Sequence, residues 1–224
     1  MKYLVGNWKS QKTTADGLAW LERFAARYIA AKDVTVVLAP TLVSLETLAA
    51  AGKRLRLSGF SFAVQDISPF PRGSYTGAVA ADLVREVAGY AIVGHGERRR
   101  YFHEDSGEIL NKASEAVDAG IVPLVCVEDA PQLGQLSSLI ELEGKILLAY
   151  TPRGPVVSEA APVEEVSEMV ARMRRSLPQA AVLYGGGITF ENCGRYLDIE
   201  GVDGLFVGSA SLDAEDFAAL CNRL

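Results

Sequence analysis

Gly-Gly-Gly at residues 185–187 follows the short apolar run 181–184, and this glycine turn decides the fold. It lies near the C-terminus, in the region where parallel α/β barrels commonly form a phosphate site. An open dinucleotide-binding sheet would instead carry Gly-x-Gly-x-x-Gly directly after its first strand. The first strand-like run of this chain, residues 3–6, is followed by Asn-Trp-Lys at residues 7–9. The sequence therefore predicts an α/β protein with a closed (β/α)₈ barrel.

Short apolar runs alternate with longer amphipathic ones along the whole chain. This alternation is typical of parallel strands that are each followed by a helix. We expect eight strands, at residues 3–6, 34–39, 60–65, 90–94, 121–127, 145–150, 181–184 and 204–207. Because no linker interrupts the pattern, residues 1–224 are expected to form one barrel domain.

Four helices are predicted with definite bounds. One has its cap at Thr14 or Asp16 and runs to residue 31, a second runs from a cap at Asp105 to residue 119, and a third spans residues 164–177. Between the fifth and sixth strands, Pro131 and Gly134 are expected to break the chain early. Only a modest helix at residues 135–141 would then fit there.

The composition restricts the class of protein. The chain has 224 residues, 49% hydrophobic and 22% charged, which is enough for a complete core. A formal net charge of −6 argues against nucleic acid or an anionic membrane as the main partner. No apolar run reaches the roughly 18 residues that span a bilayer, and residues 1–7 are too short and polar for a signal peptide. Three widely spaced cysteines in apolar surroundings are expected to be reduced thiols of a cytoplasmic protein: Cys126, Cys193 and Cys221. We expect no metal and no cofactor.

The run Val-Gly-His-Gly-Glu-Arg-Arg at residues 93–99 gives the strongest indication of chemistry. It follows an apolar run, so His95 and Glu97 would lie where a buried strand opens into a loop. Asn7 and Lys9 follow the first strand at alternate positions, and their side chains can point the same way. Because the carboxyl ends of all strands in a parallel barrel meet on one face, we expect these side chains to lie close together. A lysine at that face would supply a fixed cation for an anionic substrate.

Four segments resemble the triosephosphate isomerase family. Gly-His-Gly-Glu-Arg-Arg at residues 94–99 is similar to that family's Gly-His-Ser-Glu-Arg-Arg, and Gly-Asn-Trp-Lys at residues 6–9 matches its first motif. Tyr-Gly-Gly-Gly-Ile at residues 184–188 resembles Tyr-Gly-Gly-Ser-Val, and residues 204–212 resemble Gly-Phe-Leu-Val-Gly-Gly-Ala-Ser-Leu. Further likeness covers most of the chain, so the resemblance implies the same barrel, the TIM barrel.

The resemblance also implies a role for each of these residues. That family uses a glutamate base and a neutral histidine electrophile, and His95 corresponds to the electrophile. Lys9 corresponds to the electrostatic anchor, Asn7 to an orienting group and Glu97 to a partner of the site. Backbone amides that glycines leave accessible would bind the substrate phosphate: those of Gly187, Gly208 and Ser209.

One position breaks the pattern. The sixth strand of the family ends in Ala-Tyr-Glu-Pro, whereas residues 149–152 read Ala-Tyr-Thr-Pro, so Thr151 stands where the family has its base. A hydroxyl is not basic near neutral pH, and a positioned base contributes about 10² to 10⁴ in rate, roughly 3 to 5 kcal/mol. The family's lid, at residues 153–159, differs too: Gly154 replaces a tryptophan, Val157 replaces a glycine that donates to phosphate, and Pro155 would stiffen the loop. Glu159 reaches inward only if this loop folds unusually.

A long third loop indicates self-association. Its sequence resembles the family's loop that inserts into a second subunit. Phe70 and Tyr75 on such a loop would be costly to leave in water. We therefore expect a homodimer formed through the loop Asp66 to Gly77.

Three hypotheses for function remain open at this stage. The first is an enzyme that interconverts dihydroxyacetone phosphate and glyceraldehyde 3-phosphate, weakly because Thr151 is not a base. The second is a non-catalytic barrel that binds a small phosphorylated ligand or only assembles with itself. The third is a phosphate-binding barrel with different chemistry, for which Asp66 and Glu128 are the candidate acids or bases. Glu128 belongs to the pair Glu-Asp that replaces the family's Gly-Glu after the fifth strand.

Overall fold

A closed parallel barrel forms the centre of the protein. The structure is a computed structural model that describes residues 1–142, 144–153 and 159–224. Its strands are β1 Lys2–Asn7, β2 Val34–Ala39, β3 Phe60–Val64, β4 Tyr90–Val93, β5 Val122–Val127, β6 Leu147–Tyr150, β7 Ala181–Tyr184 and β8 Gly204–Val207. Each strand pairs in parallel with the next, and β8 pairs with β1. The predicted (β/α)₈ barrel is confirmed.

Helices surround the barrel and cover its outer face. They are α1 Thr14–Ala25, α2 Leu42–Leu55, α3 Ala81–Val84, α4 Gly96–Tyr101, α5 Ser106–Asp118, α6 Ala130–Gln135, α7 Val163–Ser176, α8 Cys193–Leu197 and α9 Ala214–Cys221. Two 3-10 turns, Ser137–Leu142 and Ser209–Ser211, lie in the connections. In the described part of the chain, no helix is long and apolar enough to cross a membrane.

The strand bounds follow the prediction closely. β2, β7 and β8 have the bounds expected from the sequence. β3 and β4 each end one residue earlier than expected, because Gln65 and Gly94 do not pair with a neighbouring strand. Gly94 has a φ of 70°, which a strand does not accommodate. β6 begins at Leu147, two residues later than the expected start at residue 145.

Helix α1 differs from the prediction at both ends. Its N-cap is Thr13, and Asp16 completes a capping box instead of serving as the cap itself. The helix ends at Ala25, well before residue 31. Beyond that point the side chain of Asn222 accepts a hydrogen bond from the Ile29 N–H at 3.0 Å and donates to the carbonyl of Arg27 at 3.0 Å. These contacts satisfy backbone groups that a longer helix would otherwise pair.

Of the three other helix predictions, two are confirmed and one is wrong. Asp105 caps α5 as expected, and α7 lies within one residue of its predicted bounds. The single helix expected at residues 135–141 was wrong. Helix α6 begins earlier, because Asp129 caps it by accepting from the Gln132 N–H at 2.8 Å, and Pro131 lies in the first turn, where its missing N–H costs nothing. Gly134 is tolerated inside this short helix.

The barrel interior is filled by side chains that alternate with the helix-facing ones along each strand. This inner set consists of Val5, Val37, Ala39, Ala63, Ile92, Leu124, Cys126, Leu147, Ala149, Leu183 and Phe206. The members nearest the carboxyl ends of β2, β3, β5 and β6 are alanines or a cysteine. Small side chains at that level leave room for polar groups at the mouth of the barrel. The three cysteines are free and buried.

Candidate active site

A cavity of about 300 Å³ lies at the carboxyl ends of the strands. Its volume is at the small end of the range for ligand sites, about 300 to 1,000 Å³. The site residues that the family resemblance implies all line it: Asn7, Lys9, His95, Glu97, Thr151, Gly187, Gly208 and Ser209. The fold brings them together because β1, β4, β6, β7 and β8 all end at this face.

Lys9 is held in an unusual backbone conformation at the end of β1. Its φ of 52° lies in the left-handed region, which costs a residue with a side chain about 1 kcal/mol or more. The side chain of Asn7 accepts the Lys9 N–H at 2.9 Å, and the amide of Gln65 donates to the Lys9 carbonyl at 2.8 Å. These bonds direct the lysine stem over Gly208, where an added Cβ would lie 3.6 Å from Lys9 Cε. Asn7 therefore orients Lys9, and Gln65 is a second orienting group that the sequence analysis did not single out.

The imidazole of His95 is neutral at neutral pH. Burial first, and neighbouring cations second, lower its pKa from 6.5 to about 4, against the opposing charge of Glu97. His95 is the N-cap of α4, and its Nδ1 accepts the Glu97 N–H at 3.2 Å. Because Nδ1 is an acceptor, the proton of the neutral ring resides on Nε2. The ring packs against Phe206, with 5.9 Å between centroids.

Glu97 forms an ion pair with Lys9. Lys9 Nζ lies 2.6 Å from Glu97 Oε1, and each side chain is about one third exposed. Partial burial opposes ionisation of Glu97, but the hydrogen bond from Lys9 and the adjacent cations outweigh it and lower its pKa. The carboxylate is therefore ionised and fixes the position of the ammonium group.

Glycine turns after β7 and β8 form the opposite wall. Gly186 and Gly187 have φ of 146° and 57°, both unfavourable for residues with a side chain. A Cβ at Gly185 would lie 2.5 Å from the Phe206 carbonyl oxygen, so the two turns are closely packed. Gly208 precedes the 3-10 turn that begins at Ser209. Glycine at position 187 is compatible with this left-handed turn, although the family motif has serine there.

Thr151 occupies the end of β6 and lines the cavity. Its N–H donates to the Val127 carbonyl at 2.8 Å, which continues the barrel ladder. Its Oγ1 is buried and has no hydrogen-bond partner among residues 1–142, 144–153 and 159–224. The expectations for Gly154, Pro155 and Val157 in the lid lie outside the described residues. Glu159, which was expected to reach inward only if the loop folds unusually, lines the cavity and is exposed.

A second group of charged residues adjoins the site, and the sequence analysis assigned only one of them a possible role. Glu128 lines the cavity, with its side chain only 4% exposed. Its Oε1 accepts from Arg100 Nη1 at 2.5 Å, and its Oε2 accepts from Gln132 Nε2 and Arg153 Nη2 at 3.2 Å each. Arg100 and Arg153 also line the cavity. The only sequence signal for this group was the replacement of the family's Gly-Glu at residues 128–129.

Asp66, the other candidate acid of the third hypothesis, is not among the residues that line this cavity. It is paired with Lys112 at 2.7 Å and with Arg98 at 2.8 Å. Lys112 also contacts Glu104, and both side chains of that pair are almost completely buried. Burial raises the pKa of Asp66, and the adjacent cations only partly offset it. Asp66 is thus engaged in a structural ion-pair network beside the third loop.

The comparison with known proteins agrees with this geometry. A family model described as triosephosphate isomerase matches residues 2–224. The chain belongs to the triosephosphate isomerase family. The triosephosphate isomerase of Mycobacterium sp. (strain JLS) is 36% identical over 249 residues, covering 97% of this chain and 94% of the relative. Those of Xanthomonas euvesicatoria pv. vesicatoria (strain 85-10) and Xylella fastidiosa (strain M12) are 34% and 33% identical, covering 98% of this chain and 96% and 97% of their own lengths.

Several departures from the motifs of the triosephosphate isomerase family meet at this cavity. Gly96 replaces the serine after the histidine, Glu128 replaces a glycine and Thr151 replaces the glutamate base. The remaining motif positions keep their polar side chains or backbone donors at the same cavity. The side chains and backbone amides at the family's other motif positions thus remain at the cavity, whereas the carboxylate at the position of the family's base is absent.

Proposed function

We propose that this protein is a single-domain triosephosphate isomerase, interconverting dihydroxyacetone phosphate and glyceraldehyde 3-phosphate at a reduced rate, without a metal or cofactor. The proposal is supported by membership of the family and by the printed function of its relatives. The observation that carries it is the neutral His95, with Nε2–H available beside the Lys9 ammonium in a cavity of about 300 Å³. That pair is suited to stabilising negative charge on a small oxygen-bearing substrate.

The substrate phosphate would bind to the backbone N–H groups of Gly187, Gly208 and Ser209. Glycine turns allow close approach of an anion, and backbone donors retain their function when the side chain changes. Lys9 lies beside this wall, because its stem passes over Gly208. A phosphate held there would place the carbon chain between the glycine turns and His95.

The reaction requires proton transfer between two adjacent carbons. A base removes a proton from C1 of dihydroxyacetone phosphate, and the electron pair of that C–H bond forms a C1–C2 double bond while the carbonyl electrons move to O2. His95 Nε2–H and the Lys9 ammonium stabilise the resulting enediolate. After the hydroxyl proton moves from O1 to O2 and a proton returns to C2, the product is glyceraldehyde 3-phosphate.

The rate is expected to be low because Thr151 cannot accept the carbon proton. Loss of a positioned base lowers the rate by about 10² to 10⁴. The groups that bind phosphate and stabilise the enediolate do not depend on residue 151, so substrate affinity should change less than turnover. Glu97 contributes by fixing Lys9 and by donating its N–H to His95.

A second candidate function is a non-catalytic barrel that binds a phosphorylated ligand or only assembles with itself. The buried Thr151 hydroxyl at the position of the base favours it. The two functions differ in the response to Thr151→Glu. In a defective isomerase, the new carboxylate should raise kcat by about 10² or more with little change in KM. In a non-catalytic barrel, the variant should remain inactive.

A coupled assay of glyceraldehyde 3-phosphate isomerisation tests the proposal, with wild type and Thr151→Glu measured in parallel. Thr151→Val is the matched control, because it keeps the shape of the side chain and removes only the hydroxyl. We expect weak turnover in the wild type and in the valine variant, and a large gain in the glutamate variant. Absence of turnover in both wild type and Thr151→Glu would contradict the isomerase proposal.

We also propose a homodimer formed through the loop Asp66 to Gly77. Phe70 and Tyr75 are each 45% exposed and stack on one another with 4.7 Å between ring centroids. Two exposed aromatic side chains on one loop are typical of an interaction surface. Light scattering at micromolar concentration should give the dimer mass for wild type and the monomer mass for Tyr75→Glu. Phe190→Glu, equally exposed but outside this loop, should stay dimeric. A monomeric wild type would refute the dimer.

The proposed setting is the cytoplasm, in glycolysis and gluconeogenesis, with a small phosphorylated substrate and neither nucleic acid nor membrane as a partner. It is supported by three buried, unpaired thiols, which suit a reducing compartment.

A further inference from the structure

Three carboxylates line the cavity in the described part of the chain: Glu97, Glu128 and Glu159. They differ in their surroundings. Glu97 is bound to Lys9 Nζ at 2.6 Å, and Glu159 is exposed. The side chain of Glu128 is only 4% exposed, so it is a carboxylate that solvent barely reaches at the wall of the site. Burial of this kind fixes a group in position and keeps water from competing with a substrate.

Gly96 determines where this carboxylate lies. A Cβ at Gly96 would be 2.1 Å from Glu128 Oε1 and 2.7 Å from Glu128 Cδ. The carboxylate therefore occupies the space that any larger residue at position 96 would take. Glu128 and His95 line the same cavity, and the charge of the Glu128 carboxylate acts on the neutral imidazole. The family's serine at this position is incompatible with the observed position of Glu128.

The hydrogen bonds that Glu128 forms with the described residues, 1–142, 144–153 and 159–224, leave acceptor capacity on one oxygen. A carboxylate offers about four lone-pair sites, two on each oxygen. Arg100 uses one on Oε1, while Gln132 and Arg153 use both on Oε2. The oxygen with a remaining site is therefore Oε1, which is the atom packed against Gly96.

We propose that Glu128 is the general base of this protein, in place of the glutamate that Thr151 replaces. The inference rests on the proposed isomerase function and deepens it. Glu128 Oε1 accepts the proton from C1 of dihydroxyacetone phosphate, the C–H electron pair forms the C1–C2 double bond, and the negative charge moves to O2. After the hydroxyl proton moves from O1 to O2, the protonated carboxyl returns its proton to C2, the C1 aldehyde forms, and Glu128 is ionised again. The base would thus lie at the end of β5 and not at the end of β6. It occupies the space that a side chain at position 96 would otherwise fill.

The surroundings of Glu128 also account for a slow reaction. Burial opposes its ionisation, but hydrogen bonds from Gln132 and Arg100 and the charge of Arg100 outweigh burial and lower its pKa. A base with a lowered pKa is ionised at neutral pH and abstracts protons less effectively. Turnover should therefore lie below that of a family member with the β6 glutamate, and above that of a protein with no base.

The test measures exchange of solvent deuterium into C1 of dihydroxyacetone phosphate by proton NMR, together with binding of 2-phosphoglycolate by calorimetry. The variants are Glu128→Gln and Glu159→Gln. Glu168→Gln is the control, because it removes an exposed carboxylate from α7 that does not line the cavity. We expect Glu128→Gln to lower exchange by at least 10² while its affinity for 2-phosphoglycolate stays within about tenfold of wild type. The control Glu168→Gln should exchange at the wild-type rate, and Glu159→Gln should lower exchange far less than Glu128→Gln does.

The outcomes separate this inference from the function on which it rests. A wild type that neither binds 2-phosphoglycolate nor exchanges deuterium would refute both. If wild type binds and exchanges but Glu128→Gln exchanges equally fast, only the inference is overturned. Loss of exchange in Glu159→Gln alone would assign the base to Glu159. Loss of binding together with exchange in Glu128→Gln would make Glu128 a structural residue and would also overturn the inference.

Discussion

Replacing Gly96 by alanine should destabilise the protein through Glu128 and not through the helix. The backbone of Gly96 is not in the left-handed region, and alanine in a helix is normally more favourable than glycine by about 0.5 to 1 kcal/mol. The added Cβ, however, would lie 2.1 Å from Glu128 Oε1 and 2.9 Å from Arg100 Nη1. Ordinary contact is about 3.5 Å, so the carboxylate must move by more than an ångström and leave its 2.5 Å bond to Arg100.

The size of the effect follows from two contributions. Inserting a methyl group into a packed region costs about 1 to 3 kcal/mol. Separating a buried ion pair costs up to about 3 to 5 kcal/mol, but Arg100 is 35% exposed, and solvent screening reduces that figure considerably. We expect a net loss of about 2 kcal/mol. In a chain of this length, the loss should lower Tm by about 4 to 8 °C.

A double-mutant cycle with Glu128→Ala isolates the contact. With the carboxylate removed, Gly96→Ala should be neutral or slightly stabilising, so the coupling energy should be about 2 kcal/mol. Urea denaturation of the four proteins at one fixed concentration gives this value, since the stability of a dimer depends on concentration. Effects that add to within about 0.5 kcal/mol would show that Gly96 does not determine the position of Glu128.

Two further predictions concern stability. Because the folded-state pKa of His95, about 4, is below its ordinary 6.5, the stability it contributes is complete above pH 6.5 and is lost as pH falls toward 4. Wild type should therefore lose about 3 kcal/mol more than His95→Gln between pH 7.5 and pH 4, measured by urea denaturation, and parallel pH profiles would contradict the neutral histidine. Lys112→Met should cost about 3 kcal/mol, because it removes the nearest cation of the buried Glu104 carboxylate and leaves it with the more distant Arg98, whose Nε lies 3.6 Å from Glu104 Oε2. The exposed control Lys53→Met should cost less than about 0.5 kcal/mol, and a loss below about 1 kcal/mol for Lys112→Met would refute the buried network.

The barrel was predictable because every strand is a short apolar run with its own turn, so local patterns specify the order of the elements. The end of α1 could not be predicted in this way. It depends on Asn222, a residue near the C-terminus whose side chain forms hydrogen bonds with the backbone of Arg27 and Ile29. The start of α6 could have been predicted from Asp129 and Pro131, which are an N-cap and a first-turn proline. This prediction failed because a proline breaks a helix in its interior but is compatible with its first turn, which is where Pro131 lies.

The candidate site was predictable for a topological reason. Parallel strands in a barrel bring their carboxyl ends to one face, so motifs far apart in the sequence meet without any knowledge of contacts. The position of the Glu128 side chain could not be derived in this way. It depends on the missing Cβ of Gly96 and on two guanidinium groups, that of Arg100 in α4 and that of Arg153 after β6. Such packing between separate segments has no periodic signature in the sequence.

The most direct test of the proposed site is a crystal structure with 2-phosphoglycolate. We predict that its phosphate lies within about 3 Å of the backbone nitrogens of Gly187, Gly208 and Ser209. Its carboxylate should contact His95 Nε2 and Lys9 Nζ. A ligand bound at another surface, or a phosphate that contacts none of these three amides, would contradict the assignment of the cavity as an isomerase site.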